Sequence, residues 1–101
     1  MKKIEIGIIG GAGYTAGELI RLLLNHPETN INFVYSTSNA GNKLYQVHQD
    51  LIGTTEMRFT SKINKEVNVL FLCLGHGNSK AFLEKNTLSA DTKIINLSND
   101  F

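Results

Sequence analysis

This sequence predicts an α/β fold with a doubly wound, mostly parallel sheet, and three observations carry that prediction. Two apolar runs, Ile4–Ile9 and Val67–Leu74, are too continuous for half-exposed strands and suit strands covered on both faces. A glycine-rich turn leads without spare residues from the first run into an amphipathic helix. The elements then follow the order βαβ…βαβ, which demands parallel pairing through crossover helices. Together they describe a Rossmann-like arrangement.

Each element has its own local reason. After the strand at Ile4–Ile9, Leu19, Ile20, Leu23 and Leu24 recur at helical spacing, with Glu18, Arg21 and Asn25 between them. Pro27 stops this helix just after His26, which would stand as a cation near the negative end of the dipole. Ile31–Tyr35 reads as the second strand, with a polar exit at Ser36-Thr37-Ser38-Asn39. Lys43–Leu51 is expected as a short helix and Glu56–Thr60 as a short strand. Val67–Leu74 forms the next buried strand, and Cys73 within it reads as a core residue. Asn78–Asn86 is expected as a helix with Ala81, Phe82 and Leu83 inward, and Lys93–Leu97 as the last strand. One proline, no linker and no repeat point to one domain over residues 1–101.

Composition excludes several functions. The 101 residues are 42% hydrophobic and 19% charged, with a formal net charge of +1. A nucleic-acid binder of this size needs a concentrated basic face, which that balance does not supply. No apolar run nears the roughly 20 residues that span a bilayer. Two lysines precede the first apolar run as in a signal peptide, yet Gly10, Gly11 and Gly13 interrupt it and no cleavage site follows. A single cysteine cannot close an internal disulfide, which points to a reducing, cytoplasmic setting. The three histidines show no metal-ligand spacing, His48 has no identifiable partner, and no Ser–His–Asp or paired-carboxylate arrangement is legible.

The glycine turn carries the chemistry. Gly11-x-Gly13-x-x-Ala16 fits the G-x-G-x-x-G/A fingerprint, and Gly10-x-x-Gly13-x-x-Ala16 fits a looser variant. Gly10 would allow the bend leaving the strand, and Gly13 would let phosphates approach where a Cβ blocks them. Ala16, or Gly17 beside it, is small enough for the helix to lie against the strand. Ala12, Tyr14 and Thr15 complete a turn whose N–H groups, with the Thr15 hydroxyl, would meet a diphosphate. The alternative is a glycine-rich βα turn with nothing bound. An NAD site carries an acid at the end of the second strand for the ribose 2′-hydroxyl. Here Ser36, Thr37 and Ser38 stand there instead and could donate to a 2′-phosphate, with Lys43 adding charge, so NADP is the expected cofactor. A polar strand exit without ligand contact is the alternative for that stretch.

Two later loops also reach the carboxyl edge of the sheet. Gly75-His76-Gly77-Asn78-Ser79 follows the Val67–Leu74 strand, where flanking glycines leave His76 room to face a ligand, although a loop histidine is often only solvated. Asn78 or Ser79 would serve as an ordinary helix cap. Asn96-Leu97-Ser98-Asn99-Asp100-Phe101 ends the last strand with polar groups.

GIIGGAGYTAGELIRLLLNHPE resembles the opening of N-acetyl-gamma-glutamyl-phosphate reductases, whose pattern is close to G-x-x-G-A-S-G-Y-T-G-x-E-L-x-R-L-L-x-x-H-P. The resemblance continues through Ala40-Gly41, Leu72–Gly77 and Leu97-Ser98-Asn99-Asp100-Phe101, and so spans nearly the whole chain. It departs from the family at Ala16, where the third glycine falls one residue later, at Thr37, often arginine, and at Gly75, often proline.

The resemblance implies an NADP-dependent oxidoreductase of arginine biosynthesis that reduces an N-acyl-glutamyl 5-phosphate to the semialdehyde with release of phosphate. Gly10–Ala16 would hold the diphosphate and Ser36–Ser38 the adenosine ribose, while His76, Gly77 and Ser98 would line the route to the nicotinamide. The family's nucleophilic cysteine, in an Asn-Pro-Gly-Cys segment, and its basic histidine lie beyond Phe101, and Cys73 does not match that nucleophile. The expectation is therefore a cofactor-domain fragment without reductase activity of its own, belonging to a homo-oligomeric enzyme whose partners are small molecules. The alternatives are a stand-alone NADP-sensing module and a related aspartate-semialdehyde dehydrogenase.

Overall fold

The computed structural model describes residues 3–74, 78–85 and 91–97. Four strands, β1 (Ile4–Ile9), β2 (Thr29–Tyr35), β3 (Val69–Leu72) and β4 (Lys93–Asn96), pair in the order β2-β1-β3-β4, all parallel. Helix α1 (Tyr14–Leu24) connects β1 to β2, and α2 (Asn78–Lys85) lies between β3 and β4 in sequence. The chain starts mid-sheet and winds outward both ways, which leaves a switch point between β1 and β3.

Alternation along the strands builds a core on each face. Ile6 and Ile8 of β1 pack with Ala16 and Ile20 of α1, Ile31 and Val34 of β2, and Leu44, Leu51 and Phe59. Ile9, Phe33, Leu70 and Leu72 turn the other way and pack with Val67 and with Phe82 of α2. Gly7 makes room for this second cluster, since a Cβ there would lie 2.4 Å from the Phe33 ring. The β1–β2 register slips between Ile6 and Gly7, where Asn32 is the extra residue of a bulge.

Several elements differ from the sequence expectation. Helix α1 ends at Leu24, because Pro27 disfavours helical backbone at His26 before it. The Asn25 side chain instead donates to the Arg21 carbonyl at 3.0 Å. The His26 N–H donates to the Leu23 carbonyl at 3.1 Å, while its Nδ1 accepts the Glu28 N–H at 3.1 Å. Lys43–Leu51 forms two 3-10 turns, Leu44–Gln46 and Gln49–Leu51, rather than one helix. Glu56–Thr60 is no strand; only isolated bridges form, Arg58 with Lys43 and Thr60 with Tyr35. In α2 Phe82 alone of the expected trio is buried, because three consecutive residues cannot share one helix face. β4 exposes Ile94 and Ile95 alike, being paired on one side only among the described residues.

Candidate functional site

The turn after β1 is tied down on one side and open on the other. The N–H groups of Gly10 and Gly11 both donate to the Tyr35 carbonyl, at 3.0 and 2.9 Å, which fastens the turn to the end of β2. Gly10 has φ +83°, and a Cβ on it would meet the Cys73 carbonyl oxygen at 2.8 Å. On Gly11 a Cβ would lie 2.1 Å from Val34 Cγ1. Those two glycines are demanded by the protein's own packing.

Gly13 is different. It is the N-cap of α1 with an ordinary extended backbone (φ −79°, ψ 169°), and a Cβ would meet nothing within 4 Å. The fold does not need a glycine there, so the open space is available to a ligand.

The helix end beside it is uncapped. No side chain bonds the N-terminus of α1, and its first turn holds no acid. Among the described residues, the amides of Ala12, Gly13, Tyr14 and Thr15 have no backbone acceptor. Gly13, Tyr14 and Thr15 thus leave unpaired donors at the positive end of a helix dipole, with Ala12 just before them. Ala16 is fully buried against the sheet, as its small size predicts.

Of these residues, Ala12 and Gly13 border a cavity of about 320 Å³ that is also lined by Gly10, Tyr35, Ser36, Thr37, Ser38, Cys73 and Leu74. Its walls come from the carboxyl ends of β1, β2 and β3, the place where open α/β sheets hold ligands. A larger hollow of about 490 Å³ lies at the opposite edge, among Lys3, Ile4, Asn68, Val69, Asp91 and Lys93. Strands begin there and helices do not, so it lacks those donors.

At the end of β2, Ser36 is buried and Thr37 and Ser38 are exposed. The Ser36 and Ser38 hydroxyls stand 3.5 Å apart, and Asn39 Nδ2 donates to Ser38 Oγ at 3.3 Å. Lys43 does not line this cavity: its ammonium pairs with Glu56 and lies 5.5 Å from the centre of the Tyr45 ring. Arg58 is exposed nearby and donates to the Gly41 carbonyl at 2.6 Å. The expected positions His76, Gly77 and Ser98 lie outside the described residues.

Cys73 and His48 read differently in three dimensions. Cys73 is half-buried and lines the cavity, because β3 runs out at the sheet edge. Burial pushes its thiol up to about 11 from an ordinary 9.0, so it stays protonated near neutral pH and is no ready nucleophile. Alkylation by iodoacetamide should therefore be slow at pH 7, accelerate from pH 9 toward 11, and slow again when a ligand fills the cavity. Stability follows the same sign: the contribution of the neutral buried thiol is complete below about pH 9 and fades as pH rises to about 11. His48, which the sequence left without a partner, is buried with Nε2 2.6 Å from the Gly11 carbonyl oxygen. No group of residues that could hold a metal ion occurs among the described residues, and none of the described helices is long and apolar enough to cross a membrane.

The sequence profile of the family described as semialdehyde dehydrogenase, NAD binding domain, matches residues 5–101. The chain belongs to that family. As a semialdehyde dehydrogenase NAD-binding domain it has close relatives in sequence. It is 72% identical over 98 residues to the N-acetyl-gamma-glutamyl-phosphate reductase of Christiangramia forsetii, covering 97% of this chain and 30% of that protein. The reductases of the same name from Flavobacterium johnsoniae and Bacteroides thetaiotaomicron are 62% and 57% identical, over 30% and 31% of their lengths. The chain thus spans about 30% of the length of these relatives. Its fold is similar to that of aspartate semialdehyde dehydrogenase from Candida albicans, solved with NADP, with a TM-score of 0.77 at 20% identity over 98% of this chain and 30% of that one.

Proposed function

We propose that these residues are the dinucleotide-binding domain of an NADP-dependent oxidoreductase that reduces an N-acyl-glutamyl 5-phosphate to its semialdehyde and releases phosphate. The observation that carries the proposal is the set of unpartnered amides from Ala12 to Thr15, of which Ala12 and Gly13 line the switch-point cavity. They suit a diphosphate, which needs several fixed donors and no opposing carboxylate. Identity of 72% with a protein of the reductase name, against 20% with an aspartate-semialdehyde dehydrogenase, supports the acyl-glutamyl substrate over the aspartyl one.

In this reading Gly10–Ala16 hold the diphosphate and Ser36, Thr37 and Ser38 meet the adenosine ribose. Hydroxyls rather than a carboxylate at that place favour a 2′-phosphate over a free 2′-hydroxyl. His76, Gly77 and Ser98 are assigned to the nicotinamide side. The bound cofactor supplies the hydride, and this domain's residues bind and orient it. The residues that attack the acyl phosphate belong to another part of the enzyme, so these 101 residues by themselves are proposed to have no reductase activity. The enzyme is proposed to be a cytoplasmic homo-oligomer.

Calorimetric titration with NADPH and NADH tests the cofactor, and assays of the full-length protein with N-acetyl-glutamyl phosphate and aspartyl phosphate test the substrate. NADPH should bind about tenfold tighter than NADH or better, the equivalent of one charge-assisted contact to the 2′-phosphate. Equal affinity for the two, or faster turnover of aspartyl phosphate, would refute the corresponding half of the proposal.

A further inference from the structure

We infer that His48 is a positioning residue that sets the direction of the Ala12 amide and so aims the glycine turn at its ligand. The ring is wedged beneath the turn. A Cβ on Gly17 would lie 2.6 Å from Nδ1, and the Phe59 ring lies 6.1 Å away, centre to centre, at 54°. Nε2 is 2.6 Å from the Gly11 oxygen, and a carbonyl only accepts, so Nε2 carries the proton and donates it.

That bond acts on the Gly11–Ala12 peptide. No peptide bond in the described residues is cis, and in a trans peptide the C=O and the following N–H point in opposite directions. Holding the Gly11 carbonyl inward toward the buried ring therefore holds the Ala12 N–H outward, on the side of the cavity that Ala12 lines. The sheet does not do this. Its bonds to Tyr35 fix the N–H groups of Gly10 and Gly11, whereas no backbone donor reaches the Gly11 oxygen among the described residues. Without His48 the peptide can flip about the flexible Gly11 and present a carbonyl oxygen where an anion is to bind.

Its own segment is anchored independently, by Leu44 and Leu51, both fully buried in the 3-10 turns on either side. The imidazole is accordingly available for aiming the turn rather than for holding the segment in place. It also explains Gly17, whose missing side chain is space for this ring.

The inference rests on the proposed cofactor site, and the experiment separates the two. In the full-length protein His48→Leu keeps apolar bulk without the donor, His48→Gln restores an N–H of similar reach, and Gly17→Ala displaces the ring with His48 present. NADPH and adenosine 2′-phosphate, which lacks the diphosphate, are titrated into each, and the Ala12 amide is followed by ¹⁵N NMR without ligand. His48→Leu and Gly17→Ala should weaken NADPH about tenfold, the worth of one bond to a charged group, and leave adenosine 2′-phosphate unchanged. His48→Gln should recover most of the loss, and the free Ala12 amide should shift and broaden only in the first two variants. Equal weakening of both ligands in step with a lower melting temperature would overturn the inference. So would an Ala12 signal unmoved by His48→Leu, a result that stands even if the wild type binds no dinucleotide.

Discussion

Gly13→Asp should raise the melting temperature of the protein while abolishing its affinity for NADPH. Position 13 is an N-cap with extended backbone, an empty surrounding and no side-chain cap or acid in the first turn. An aspartate fits without strain and accepts from the Thr15 or Ala16 amide. The gain is a few tenths of a kcal/mol over glycine as a cap plus a charge–dipole term, together about 0.5–1 kcal/mol. That corresponds to a rise of roughly 2–8 °C for a unit of this size. The same carboxylate occupies the donors proposed for the diphosphate and repels its charge, so binding should fall by about a hundredfold or more. Calorimetry on one sample reads both effects. Unchanged binding with a higher melting temperature would mean that the diphosphate lies elsewhere.

Gly10→Ala should fail in the opposite manner, by strongly destabilising the fold itself. The left-handed φ of +83° costs a side chain about 1–2 kcal/mol, and the new Cβ would stand 2.8 Å from the Cys73 oxygen and 2.9 Å from its carbonyl carbon. Those atoms are backbone, and Cys73 also donates its N–H to the Ile9 carbonyl at 2.8 Å, so they cannot move aside. The combined loss is about 2–4 kcal/mol, a large share of the 5–15 kcal/mol that holds a typical domain together. Chemical denaturation should show a much lower midpoint with an unchanged slope. A midpoint within error of the wild type would show that the turn relaxes more freely than its contacts indicate.

The contrast between these two glycines marks what the sequence could and could not reveal. Both belong to one spacing pattern, and the pattern alone cannot separate the glycine that the protein's packing demands from the one left open to a ligand. Strand β1 was legible because Ile6 and Ile8 pack on one face and Ile9 on the other, which requires a continuous apolar run. The start of α1 was legible from the glycines, and its end was displaced only by the effect of Pro27 on the residue before it. Periodicity reports neighbours along the chain, and His48 finds its partner 37 residues away. The Glu56–Thr60 stretch misled for a related reason: Phe59 within it is buried in the core beside Gly11, while the stretch itself makes only isolated bridges. Cys73 looked like core because β3 is apolar, yet it sits where the strand leaves the sheet and the cavity begins. The Ser36–Ser38 exit lines the cavity, whereas the charge expected from Lys43 is engaged by Glu56.

The amide region of a ¹⁵N-labelled sample, followed as NADPH is added, tests the central claim most directly. Saturable displacement of the Ala12, Gly13, Tyr14 and Thr15 signals, larger than anywhere along the opposite edge around Asn68 and Lys93, is the predicted result. Saturation with those four signals still in place would contradict it.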